Sequence, residues 1–145
     1  MTTISSVNDC RVIVLPQHDD SRGSLTVLER LTEIPFDVRR TFLIAGVPSG
    51  ATRGHHANML TSELIVCAAG AMTVRLEDEH RSRSIPMSSR SGAVLVPPGL
   101  WVELRDFSRG AVVVVLADTD YRDASRAYIR DRNAWLASRR VARVA

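Results

Sequence analysis

"ELIVCAAGAMTVRLE", residues 63–77, carries the signal on which the fold turns. In its second half Met72, Val74 and Leu76 alternate with Thr73, Arg75 and Glu77. Successive side chains of an extended chain leave on opposite faces, so this period of two predicts a strand with one face on a core and one in water. The first half, "ELIVCA" (63–68), is a second β-type run. Outward from this pair the pattern repeats in "RVIVL" (11–15), "SLTVLE" (24–29), "RTFLIA" (40–45), "GAVLVP" (92–97), "WVELRD" from Trp101, and "AVVVVLA" (111–117). The last of these is apolar on both faces and is expected deep in a sandwich or at a subunit interface. "PQHDDSRGS", "GVPSGATRG" and "PPG" read as connections. Short strands with close turns and no helix between them predict an all-β barrel or jelly roll.

The pattern changes at Asp120. Tyr121, Ala124, Tyr128 and Trp135 recur at helical spacing, so a short C-terminal helical segment should cap the barrel, with both tyrosines in its packing. The 145 residues suit a single domain, 1–145, large enough to bury a core. Hydrophobic residues at 45% and charged residues at 24% exclude a disordered chain. No apolar run approaches the roughly 20 residues that cross a bilayer, and "MTTISSVNDC" lacks a basic segment followed by an apolar one. A cytoplasmic protein without a membrane partner is expected. Cys10 and Cys67 lie in no CxxC motif and are expected as free thiols.

The net charge of +3 comes from arginine alone, since the sequence contains no lysine. Arg122, Arg126, Arg130, Arg132, Arg139, Arg140 and Arg143 crowd the C-terminal region, but Asp118, Asp120, Asp123 and Asp131 are interleaved with them. That mixture reads as a solvated helix face and not as a nucleic-acid surface.

Within this frame the stretch "TRGHHANML" (52–60) has informative neighbours. Gly50, His56, Asn58, Glu63 and Gly70 fall at the spacing of the first signature of the cupin superfamily, with asparagine at its second histidine. Gly92, "VPPG" and "LWVELRD" resemble the second signature, where Val102 stands at the usual histidine. An amide and an isopropyl group do not replace two imidazoles, so neither a metal nor another cofactor is expected.

A closer resemblance spans nearly the whole chain. "SRGSLTVLE", "IPFDVRRTFLIAGVPSGATRGHHA", "LIVCAAGAMTVRLED", "LVPPGLWVELRDFS", "VVLADTDY" and "YIRDRNAW" are similar, in order and spacing, to the dTDP-4-dehydro-6-deoxyglucose 3,4-ketoisomerases, the WxcM-like cupins. The resemblance implies an RmlC-like jelly-roll barrel and a metal-independent isomerase of deoxysugar or secondary-metabolite biosynthesis. It also implies a dTDP-linked keto-deoxysugar as small-molecule ligand, and a homodimer that exchanges N-terminal strands. By the same resemblance His56 is the catalytic base, with Asn58 and Glu63 beside it, and Arg22, Gly23, Arg40 and Arg53 hold substrate or its phosphates. Histidine suits proton transfer because an imidazole titrates near neutrality, and guanidinium suits diphosphate through paired charge-assisted hydrogen bonds.

The chain departs from the family pattern at Asn58, where R-G-x-H-A-H ends in histidine, and at Leu43, where a tyrosine follows R-R-x-[FY]. Phe42, Leu43 and Trp101 are candidate walls for a sugar or base. His55 should face away from His56 on any strand, unless the register slips by one and exchanges the faces. Of Arg39 and Arg40, alternation sends one inward, where an unpaired charge is unfavourable. Two other readings follow from the departures: a cupin of the same ancestry recruited as a cyclase, dehydratase or epimerase, or a ligand-binding protein without catalysis.

Overall fold

The computed structural model describes residues 4–144. In chain order the elements begin with a 3-10 turn (Val7–Asp9), β1 (Arg11–Ile13), β2 (Gln17–Asp20), β3 (Gly23–Thr26), β4 (Arg40–Ala45), β5 (Arg53–Asn58) and β6 (Glu63–Ala69). They continue with β7 (Ala71–Glu77), β8 (Ser82–Ser88), β9 (Ala93–Val96), β10 (Trp101–Arg105), β11 (Val112–Ala117), α1 (Tyr121–Arg126), β12 (Tyr128–Ile129) and α2 (Arg132–Val144). Two five-stranded sheets, β1-β9-β6-β11-β4 and β12-β5-β10-β7-β8, face each other, and β2 and β3 form a separate hairpin. The strand pairings within all three sheets are antiparallel. This is the jelly-roll sandwich, with the expected C-terminal helices.

Alternation builds the core. Ile65, Cys67, Val94, Val113 and Val115 from the first sheet meet Met72, Val74, Leu76, Met87, Val102 and Leu104 from the second. β11 runs between β6 and β4, but only Val113, Val115 and Ala117 are buried; Val112, Val114 and Leu116 are half-covered on the outer face. The expectation that both faces are deep is therefore corrected within one chain. A second cluster, with Leu15, Ile34, Leu64 and Val66 at its centre and Leu28, Phe36 and Leu116 packed on it, covers part of that outer face.

Three strands arise where the sequence reads as connection. β8, "SRSIPMS", buries only Ile85 and Met87 and holds Pro86 at a sheet edge, where a missing amide donor is tolerated. β5 and β2 are too polar to stand out from loop composition. Of "SLTVLE" only Ser24, Leu25 and Thr26 are strand; they belong to β3, which pairs with β2 and not with either large sheet.

The arginine-rich helix is more than a solvated face. Trp135 is fully buried against Trp101, with ring centroids 5.6 Å apart, and its Nε1 donates to the Gly99 carbonyl at 2.8 Å. Arg139 is buried beside Glu79 at 2.6 Å, Arg143 reaches the same carboxylate at 2.5 Å, and Arg132 pairs with Glu77 at 2.7 Å. The charge balancing these arginines thus comes from the β7–β8 turn and not from the interleaved aspartates. Cys10 and Cys67 are buried and free. No described helix is long and apolar enough to cross a membrane.

Candidate active site

A cavity of about 950 Å³ opens between the β4–β11–β6 side of one sheet and the β5–β10 side of the other, with α1 and residues 128–130 on its rim. It is large enough for a ligand of substantial size; ordinary ligand pockets span about 300–1,000 Å³. Strand registers decide which side chains enter it. On β4 the inward positions are Arg40, Phe42 and Ile44, while Thr41, Leu43 and Ala45 are exposed. Arg40 and Glu63 both register on Ala117 of β11, so two long side chains reach inward on either side of a methyl group.

Glu63 is almost fully enclosed, and burial pushes its carboxyl up to about 7, with Arg40 opposing and Asp118 adding to the rise. Arg40 arches over Phe42, 5.5 Å from the ring centroid, and its Nε is buried without a hydrogen-bond partner among the described residues. A buried polar group lacking a partner is disfavoured, which makes this a binding-competent edge for an acceptor.

Facing them, His56 of β5 registers on Val102 and stacks on Tyr128 of β12, centroids 4.4 Å apart and planes 24° from parallel. Its Nδ1 is buried and unpartnered among the described residues. Burial lowers the His56 pKa; the Gly54 backbone works against this, and the neighbouring Arg130 and Arg40 add to the fall. The shift favours the neutral ring, the form that accepts a proton. Burial raises the Tyr128 phenol, with nearby Glu63 adding to the rise, while Arg130 lies 5.3 Å over its ring and works against it. Arg53 and Arg130 complete a cationic lining with Arg40.

β5 is not a regular strand. Its register on β10 shifts between Val102, opposite His56, and Glu103, opposite Gly54, leaving His55 as an extra residue. Gly54 has φ 84° and His55 φ 56°. A Cβ on Gly54 would lie 2.6 Å from the Val102 carbonyl, so glycine is required there. His55 touches the cavity rim, but its ring leans toward Glu103, which alternates to the other face of β10 from Val102, so the two histidines face apart as expected.

Several expected site residues lie elsewhere. Asn58 is buried outside the cavity lining, its Oδ1 accepting from the amides of Leu60 and Thr61, so it ties the turn after β5. Trp101 faces the opposite side of its sheet from Val102, under α2, with Nε1 donating to Glu103 at 3.1 Å; it is packing and not a substrate wall. Leu43 touches the cavity rim, but its side chain alternates outward and is 68% exposed. Arg22 and Gly23 sit at the β2–β3 turn, away from the lining, where Arg22 pairs with Asp20 at 2.5 Å. Tyr128, assigned from spacing to helix packing, lies on β12 and in the cavity with Arg130; "YIR" read as an extended triplet would have put both on one face.

The donor set does not suit a metal. His56 and Glu63 come from opposing sheets, the two further ligand positions are Asn58 and Val102, and among the described residues no three His, Cys, Asp or Glu side chains gather into a group that could hold an ion.

Known proteins resemble this chain over most of its length. A TDP-4-oxo-6-deoxy-alpha-D-glucose-3,4-oxoisomerase of Aneurinibacillus thermoaerophilus is 36% identical over 120 residues, 83% of this chain and 85% of the relative. The crystal structure of QdtA, a sugar 3,4-ketoisomerase from Thermoanaerobacterium thermosaccharolyticum in complex with TDP, superposes with TM-score 0.86 at 28% identity, covering 92% and 96% of the two chains. A 3,4-ketoisomerase from Helicobacter canadensis gives TM-score 0.85 at 30% identity over 91% and 98%. Residues 8–140 match the family described as "FdtA: WxcM-like, C-terminal", and the chain belongs to that family.

Proposed function

We propose that this chain is a 3,4-ketoisomerase acting on a TDP-linked 4-keto-6-deoxyhexose, with His56 as the base. The observation that carries the reading is the half-buried His56 imidazole, its Nδ1 buried and unpartnered among the described residues, in a cavity lined by Arg40, Arg53 and Arg130. The arginines suit the diphosphate, and the family relationship supports the sugar nucleotide. His56 removes the proton from C3, and the C–H pair becomes the C3=C4 bond of an enediol. Protonated Glu63 gives its proton to O4 and recovers one from O3 as the C3 carbonyl forms. A proton delivered to C4 completes the exchange. C4 is reduced and C3 oxidised within one molecule, so no external redox partner is consumed.

The proposal includes a cytoplasmic homodimer that exchanges N-terminal strands. Its support is the β2–β3 hairpin, which pairs with neither large sheet and holds Arg22 and Gly23 away from their own cavity. In such a dimer these two residues serve the partner's cavity. Asn58, engaged in a turn, and the apolar walls formed by Phe42, Ile65, Val102 and Val115 favour one alternative: a repurposed cyclase, dehydratase or epimerase.

The test is incubation with TDP-4-keto-6-deoxyglucose in deuterated water, followed by proton NMR. A 3-keto product with deuterium at C4 is expected, and His56→Asn should lower its formation by about a hundredfold or more. Binding of TDP without any carbon exchange would sink the isomerase reading in favour of a binding protein, and exchange with a different product would favour the repurposed enzyme.

A further inference from the structure

We infer that Tyr128 is the positioning residue of the base: its ring, brought to the cavity by the C-terminal segment, fixes the plane of the His56 imidazole. This rests on the isomerase reading above and names what orients the group that takes the C3 proton.

A proton-transfer histidine is ordinarily oriented by a hydrogen bond from its second nitrogen. Here Nδ1 is buried with no partner among the described residues. The outer torsion of a histidine is broad, so a ring without that tether needs another contact to narrow it. Tyr128 supplies a flat one, stacking on His56 with centroids 4.4 Å apart and planes 24° from parallel. Aromatic rings at that separation attract beyond the area they bury.

Tyr128 is itself firmly placed. Alternation along β12 sends Ile129 into the cluster of Trp101, Trp135 and Leu136 under α2 and leaves Tyr128 in the cavity lining. Two pairings pin β12 to β5, Tyr128 opposite Asn58 and Ile129 opposite Ala57, and the Met59 amide donates to the Ala127 carbonyl at 2.9 Å. Asn58 therefore serves the base from outside the cavity: its side chain ties the turn after β5, and its backbone faces the residue that covers His56. The C-terminal segment, expected only to cap the barrel, thus contributes to the chemistry.

The stack also keeps water from one face of the imidazole. Burial lowers the His56 pKa, so exposing that face should bring it back up towards the ordinary 6.5. The charged and titratable groups around the ring are Arg40 from β4, Glu63 from β6, Arg53 and the rim residue His55 on β5, Arg130 after β12, and Tyr121 on α1. β10 presents only Val102 and Leu104. Arg40 and Arg130 act with burial, and Glu63, titrating at about 7, lies on the other side of neutrality from the lowered histidine. A base must be deprotonated and a proton relay protonated, so His56 sets the acid limb of the activity profile and Glu63 the alkaline limb.

Two variants separate the ring from its hydroxyl. Tyr128→Phe keeps the flat face, and Tyr128→Ala removes it. Kinetics with TDP-4-keto-6-deoxyglucose are measured against pH, and the His56 ring, identified by its absence in His56→Asn, is titrated by proton NMR. Tyr128→Phe should match wild type within about threefold in kcat and KM. Tyr128→Ala should lose about tenfold or more in kcat with KM held within about threefold, since a misdirected base slows the step without releasing substrate. Its acid limb in kcat/KM and its NMR midpoint should both move to higher pH, with the alkaline limb unmoved. A Tyr128→Ala protein with kcat within about threefold of wild type, or with an unmoved midpoint, overturns the proposal. So does a Tyr128→Phe protein as defective as Tyr128→Ala, which would make the hydroxyl the working group, or a raised KM at unchanged kcat, which would make Tyr128 a substrate contact. Should Tyr128→Ala fail to fold, Tyr128→Leu fills the space without a flat face, and a kcat equal to that of Tyr128→Phe overturns the proposal. An inactive wild type removes the isomerase reading, and this inference with it; an active wild type with indifferent Tyr128 variants removes this inference alone.

Discussion

At the residue scale Glu63 shows how burial sets chemistry. Enclosed by β6, β9 and β11, it sits where its charged form is poorly solvated, and its carboxyl titrates at about 7 in place of the 4.5 of a free side chain. The native state therefore holds a proton between those values that the unfolded chain has released. Its contribution to stability is full below about 4.5 and is lost as pH rises through about 7. The shift corresponds to something on the order of 3 kcal/mol across that window. Glu63→Gln, which mimics the protonated acid, should flatten the pH dependence of the melting temperature between pH 5 and 8 and leave the variant the more stable protein at pH 8. Parallel wild-type and variant profiles would show that the carboxyl is not held protonated. The same variant should lose turnover, since an amide cannot relay the oxygen protons.

At the scale of elements the bulge in β5 is the decisive irregularity. Gly54→Ala would bring a methyl carbon to 2.6 Å from the Val102 carbonyl, at a φ of 84° that a side chain disfavours. Strain of that kind is worth about 1–3 kcal/mol, and the contact with β10 adds to it. Chemical denaturation should show a loss of stability in that range or above, together with reduced activity, because relief of the clash shifts the neighbouring His56; unchanged stability and activity would mean that the bulge is dispensable. The bulge also marks the limit of what the sequence discloses. β4, β6, β7 and β11 are legible because their apolar positions alternate or run together, and the jelly roll follows from them. His56, Glu63 and Arg40 are legible because family spacing and inward parity agree. Parity gives no guide at Tyr128, since two residues of β12 are too short to show a period. Trp101 and Asn58 were misplaced for a related reason: chemistry capable of binding a ligand was instead used by a helix and by a turn.

At the scale of the whole molecule one chain leaves an apolar face unfinished. A groove of about 560 Å³ on the outer side of the first sheet is lined by Val14, Leu28, Val66, Ala68, Val114 and Leu116 among others, and Val14 is 86% exposed. A partly open apolar groove of this kind suits an association site, and in the proposed dimer a two-fold pairing would close it by apposing the same patch from each copy. In the dimer we propose, scattering should give a mass about twice 16.0 kDa, and Val114→Glu should yield monomers. The exchange of N-terminal strands makes a sharper prediction. If Arg22 serves the partner's cavity, each active site is composed of His56 from one chain and Arg22 from the other. Arg22→Ala and His56→Asn are then each defective alone, but a mixed dimer regains one complete site. Random pairing of the two co-expressed variants restores about a quarter of wild-type sites, because half the dimers are mixed and each has one site of two intact. Should Arg22 act within its own chain, every site in the mixture keeps a defect and activity stays at the level of the single variants.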